Sequence, residues 1–146
     1  MTAIGSNSAG GVDFYVLKSG SDPAVLKLAC RVVEKAYKGG YRVLLMGRDE
    51  QQCSQLDEQL WTFSQGSFIP HERGTDATAA KVRIAPSPAL QDIDVIVTLN
   101  RAPLDDAFHH LRIADIIGAS ETEKHEARER FKFYRSHGIE PRTHHI

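Results

Sequence analysis

The stretch VDFYVLKSGSDPAVLKLACRVVEKAYKGGYRVLLMG, residues 12–47, decides the fold. Its opening, 12–19, alternates Val12, Phe14 and Val16 with Tyr15 and Leu17 on the other side, the pattern of a strand covered on both faces. Asp22 stands in an N-cap position with Pro23 at the first helical position. Val25, Leu28, Ala29, Val32 and Ala36 then repeat at helical spacing until Gly39-Gly40 stops them. YRVLLMG, 41–47, reads as a second strand, and a crossover through one helix makes it parallel to the first.

The alternation continues outward from this unit. Asp49 and Gln52 form a capping box for a helix with Cys53, Leu56 and Leu60 turned inward, ending before Gly66. SFIPH, 67–71, reads as a short third strand closed by Pro70, and ERGTDATAA, 72–80, as the loop least suited to order. KVRIA, 81–85, and DIDVIVTLN, 92–100, supply two strands, the second buried by its apolar run. RAPLDDAFHH reads as a turn or a single helical turn, and LRIADII, 111–117, as a last strand. Ser120 and Glu123 then make a capping box for a helix over 121–138. Residues 1–11, rich in Gly, Ser and Asn, read as a flexible leader or an expression remnant. The order predicts a single α/β domain over 12–146, Rossmann-like, with a mainly parallel central sheet and helices on both faces.

Composition fits one soluble domain: 146 residues, 41% hydrophobic and 25% charged, with a formal net charge of −1. Near-neutrality means that binding to nucleic acid or membrane would need a local patch. Cys30 and Cys53 match no metal-finger spacing and, without a signal or transmembrane run, fit a reducing cytoplasm as buried thiols. The turn KSGSDP has neither GxxxxGK nor GxGxxG, and MGRDE follows its glycine with acids that would repel a phosphate, so no nucleotide-binding motif is present. Seven histidines show no HxxxH or HExxH spacing, and His71, Glu72 and Cys53 lack a third orienting group. No catalytic residue, metal site or cofactor is expected.

Two clusters have an interaction character. In LWTFSQGSFIPH, 60–71, Trp61 adjoins the inward Leu60 and is expected in the core, whereas Phe63 and Phe68 are expected at a rim. In EARERFKFYRSHG, 126–138, Arg128, Arg130, Lys132 and Arg135 crowd round three aromatic rings. Lys124, Arg128, Phe131 and Arg135 share one helix face with Lys132 beside them, while Ala127, Phe131 and Tyr134 give the apolar side. The i,i+4 pairs Lys124–Arg128 and Arg128–Lys132 are like-charged, which disfavours the helix by roughly 0.2–0.5 kcal/mol each and suggests a partner. That partner could be an acidic chain or, by stacking, a single-stranded nucleic acid.

The segments VDFYVL, RVLLMGRDEQQCSQLDEQLW, SFIPH, DVIVTLN and ARERFKFYRSHG, in this order from Val12 to Gly138, resemble the chi subunit family of bacterial DNA polymerase III. The resemblance implies a non-enzymatic α/β replication adaptor in the cytoplasm, at the replication fork. It would join single-stranded DNA-binding protein, gripped by its acidic C-terminal tail, to the psi subunit of the clamp loader. It implies Lys124, Arg128, Lys132 and Arg135 for the tail's carboxylates, with Ile117 and Phe131 lining the slot for its terminal ring. A tyrosine is expected where Phe131 stands. Phe68 and Ile69, with Phe63 nearby, are implied for the psi contact. Direct single-strand binding is the alternative reading, and a degenerate nucleotide-binding enzyme a weaker one.

Overall fold

A computed structural model of the chain describes residues 10–63, 68–74, 80–89 and 91–146. Among these, seven strands form one all-parallel sheet: β1 (Val12–Val16), β2 (Val43–Met46), β3 (His71–Arg73), β4 (Val82–Ala85), β5 (Val95–Thr98), β6 (Arg112–Ile117) and β7 (Arg142–His145). Their order is β3-β4-β2-β5-β6-β1-β7, joined by helices α1 (Asp22–Lys38), α2 (Glu50–Thr62) and α3 (Glu121–Ser136). One 3-10 turn, Asp106–Phe108, lies in the RAPLDDAFHH segment.

The expected α/β class follows from strands that are apolar on both faces, so each face needs a helical cover. Tyr15, Leu45, Val97 and Ile116 pack with Leu28, Val32, Cys53 and Leu56 of α1 and α2. Phe14, Leu44, Ile96, Ile113 and Ile117 pack with Ala127 and Tyr134 of α3 on the other side. Burying a side chain of this size contributes roughly 1.5–3 kcal/mol, and the sheet lies between these two core clusters.

Four details differ from the sequence reading. Ser21, not Asp22, holds the N-cap of α1, and Asp22 and Pro23 lie inside the first turn. Phe68–Pro70 is irregular backbone, and the strand expected there begins at His71, after the proline that cannot donate to a ladder. Glu72 and Arg73, expected in the loop, therefore belong to β3, while 75–79 lie outside the described residues, as do 1–9, Gly66 and Ser67. Finally, β7 adds a strand beside β1 that RTHH does not announce, because an edge strand needs no apolar alternation.

Two buried charge systems tie the outer elements down. Arg130 of α3 donates through Nε and Nη2 to the two oxygens of Asp115 at 2.7 and 2.9 Å, and through Nη1 to the Arg101 carbonyl at 3.0 Å. Asp13, fully buried on β1, meets Arg112 at 3.2 Å, Arg142 at 3.1 Å and His144 at 3.0 Å, which clasps β7 to its neighbours.

Candidate functional site

The position of α3 is set from its first residue. Ser120 Oγ accepts from the Glu123 amide at 3.1 Å, and the Glu123 carboxylate reaches back to the Gly118 amide at 2.8 Å. A Cβ on Gly118 would displace that carboxylate, so glycine here leaves room for the capping contact. Further on, the buried Tyr134 hydroxyl accepts from the Leu104 amide at 2.8 Å. With Arg130 and Tyr134 held inward, the helix turns Lys124, Arg128, Lys132 and Arg135 outward along one side.

That side borders a cleft of about 650 Å³ between α3 and the strands β1 and β7. Its apolar wall is Phe14, Val16, Ile117, Ala127 and Phe131, and the Phe131 and Phe14 rings meet edge to face at 5.6 Å. Lys18, Lys124, Arg128, Lys132 and Arg135 supply its cations. The structure thus brings all six residues named from the sequence for the tail, Ile117, Lys124, Arg128, Phe131, Lys132 and Arg135, around one cavity. Lys132 pairs with Glu129 at 3.6 Å and Arg135 with Glu140 at 3.3 Å, both at the surface. Among the described residues, Lys124 and Arg128 pair with no carboxylate.

Arg130, counted from the sequence among the clustered cations, is instead buried against Asp115; its place on the stripe of Ala127 and Tyr134 carries it inward. Burial pushes the Asp115 carboxyl up, against the opposing charge and hydrogen bonds of Arg130. Sequence reasoning missed Phe14, Val16, Leu17, Lys18, Ala127, Thr143 and His145 as cleft residues. Ala127 carried a signal as part of the apolar side of α3, and β1 as a strand with apolar residues on both faces and a lysine beyond its end.

The aromatic cluster at the opposite edge of the sheet differs from expectation. Trp61 is 61% exposed and Phe68 59%, with ring centroids 5.2 Å apart, and His71 lies 5.1 Å from Trp61. Leu60 takes the inward position of α2, and the next residue turns about 100° away from it, so adjacency to Leu60 does not place Trp61 in the core. Phe63 is half-buried against the core, and Ile69 is 1% exposed and faces inward. Of the three residues named for the psi contact, Phe68 is therefore the one presented, and Trp61 joins it. His71 holds this corner, with Nδ1 at 2.7 Å from the Ile69 carbonyl and Nε2 at 2.7 Å from Asp57.

At the carboxyl ends of the strands, where a related sheet would hold a phosphate, the chain fills two helix N-termini with its own side chains. Asp49 accepts from the Gln52 amide at 2.8 Å, and Gln52 from the Arg48 amide at 2.7 Å, for α2; Ser120 and Glu123 do the same for α3. Burial pushes the Cys30 thiol up to about 12 and also raises Cys53, so both thiols stay protonated near neutrality. Among the described residues, no group of three His, Cys, Asp or Glu side chains could hold a metal ion, and no helix is long and apolar enough to cross a membrane.

A parallel α/β sheet with self-capped helix ends and an apolar cleft rimmed by cations defines a domain of the α/β class with two presented surfaces, one cationic and one aromatic. The chain belongs to the family described as DNA polymerase III chi subunit, HolC, whose model matches residues 10–142. It is 33% identical over 136 residues to the DNA polymerase III subunit chi of Pseudomonas aeruginosa, covering 92% of this chain and 96% of that protein. The Escherichia coli subunit chi is 30% identical over 89% of this chain and 94% of its own length. That of Haemophilus influenzae is 29% identical over 86% and 90%. The family is one of non-catalytic accessory subunits of the replicative polymerase, so the chain has a place in DNA replication.

Proposed function

We propose that the chain is an adaptor that grips the acidic C-terminal tail of single-stranded DNA-binding protein in the cleft beside α3. Its aromatic corner at Trp61 and Phe68 joins the psi subunit of the clamp loader. The observation that carries the first half is the combination of an apolar slot with Arg128 and Lys124 unpaired at its rim. A guanidinium fork suits a carboxylate, and burial of a terminal apolar residue supplies what surface ion pairs cannot. Phe131 keeps a ring wall against Phe14 without a hydroxyl.

A bare single strand would need exposed rings interleaved with the cations. On α3, Tyr134 is buried and Phe131 and Phe133 are half-buried, which favours the peptide over the nucleic acid. The test is titration of a tail peptide against the wild type and Arg128→Ala. A loss of roughly tenfold in affinity is expected, in line with one charge-assisted contact, and weaker binding of the wild type as salt rises. Unchanged affinity in Arg128→Ala would remove the site from the cleft.

A further inference from the structure

The open edge of β7 carries an inference that rests on the cleft reading and extends it. β7 is the outermost strand on its side, and among the described residues no strand lies beyond it. Its hydrogen-bonding parity is fixed at its end: the Ile146 amide donates to the Val16 carbonyl at 2.9 Å, and the Ile146 carbonyl accepts from Lys18 at 3.1 Å. In a parallel ladder alternate residues turn to the same neighbour, so His144 and Arg142 also turn their backbone toward β1. Thr143 and His145 therefore point their amides and carbonyls away from the sheet. The side chains of these same two residues line the cleft. The slot and the free edge are continuous.

We propose that an extended acidic peptide, anchored in the cleft by its apolar end, adds as an eighth strand along β7 through the backbone of Thr143 and His145. Strand addition supplies main-chain hydrogen bonds that do not depend on the peptide's side chains. Those side chains alternate between the sheet's two faces and meet cations on both. On the α3 face stand Lys124 and Arg128, unpaired among the described residues, with Lys132 and Arg135 paired to surface carboxylates. On the other stands Arg142, whose side chain is 47% exposed and paired with the buried Asp13, which it shares with Arg112 and His144. Glu140, the nearby acid at the mouth of the strand, is already paired with Arg135. The opposite edge of the sheet suits an acidic strand poorly, because β3 has only three residues and carries Glu72.

The experiment is amide hydrogen exchange by NMR on the full chain, with and without a saturating synthetic acidic decapeptide that ends in an apolar residue with a free carboxylate. The Thr143 and His145 amides should exchange rapidly in the free chain and slow by roughly tenfold or more in the complex. N-methylating the peptide backbone at alternate residues should weaken binding by roughly tenfold in one register and leave the other unaffected. Binding that shifts Lys124 and Arg128 resonances while leaving both β7 amides rapid, or that tolerates both N-methyl registers, would overturn strand addition and leave the cleft reading standing. Failure of the unmodified peptide to bind at all would overturn both.

Discussion

Arg128 and Arg130 stand two residues apart on α3, about 200° around the helix axis, and their surroundings give their loss opposite consequences. Arg130 is buried with Asp115 and the Arg101 carbonyl, so Arg130→Ala leaves a carboxylate buried without its partner. Such a loss costs about 3–5 kcal/mol. Urea denaturation of Arg130→Ala should show it, whereas Arg128→Ala, at the surface, should stay within about 0.5 kcal/mol of the wild type. Equal stability of the two variants would contradict the anchoring role of Arg130. The sequence shows two arginines in a basic cluster, and nothing local in it separates them. Asp115, the residue that does, is 15 positions away on β6.

Burial also sets an alkaline limit at the residue scale. It holds the Cys30 thiol at about 12, from an ordinary value of 9.0, and the Tyr134 hydroxyl at about 12, from 10.0. Between the unfolded and folded values the unfolded chain has released these protons and the native chain retains them. The native state then binds more protons, and stability falls as pH rises. The melting temperature should therefore decline above about pH 9. In Cys30→Ala the decline should be shallower, and an identical slope would show that Cys30 does not contribute.

At the scale of elements, α3 is an aligning device whose start is fixed by its cap. Ser120→Ala removes the acceptor of the Glu123 amide and should cost about 1 kcal/mol, measured by thermal or chemical unfolding. A change below about 0.3 kcal/mol would mean that water replaces the cap at no loss. The capping boxes at Asp49 and Ser120 were legible in the sequence because their partners lie three residues away. The strand β7 was not legible. Its polar RTHH owes its place to Asp13 and Tyr15 on β1, the latter stacked on His144 at 4.8 Å, and those contacts span about 130 positions of chain.

At the scale of the molecule, β3 and β7 are opposite edges of a seven-stranded sheet. Six spacings of roughly 4.8 Å put them about 29 Å apart. The aromatic corner beside β3 and the cleft beside β7 are therefore far enough apart to engage two partners at once. A ternary complex should form with psi and the tail peptide, each binding with the affinity it has alone. Trp61→Ala with Phe68→Ala should abolish psi capture and leave peptide binding intact, and Arg128→Ala should weaken peptide binding by roughly tenfold and leave psi capture intact. Calorimetric titrations in both orders would check this, and mutual exclusion of the partners would refute it.

The sequence by itself determined the α/β class, the parallel crossovers, the caps of α2 and α3 and the basic face of α3. Each of these depends on periodicity or on partners within a few residues, which a linear reading contains. The six residues expected at the cleft were also legible, five on or beside one helix face and Ile117 through the family resemblance. Only the tertiary structure decided that Arg130 is buried, that Trp61 is exposed, that Ile69 faces the core, and that β7 completes both the sheet and the cleft. Those outcomes turn on contacts between distant segments. A side chain's fate depends there on the desolvation and pairing it meets after folding, and its own sequence neighbours do not encode that.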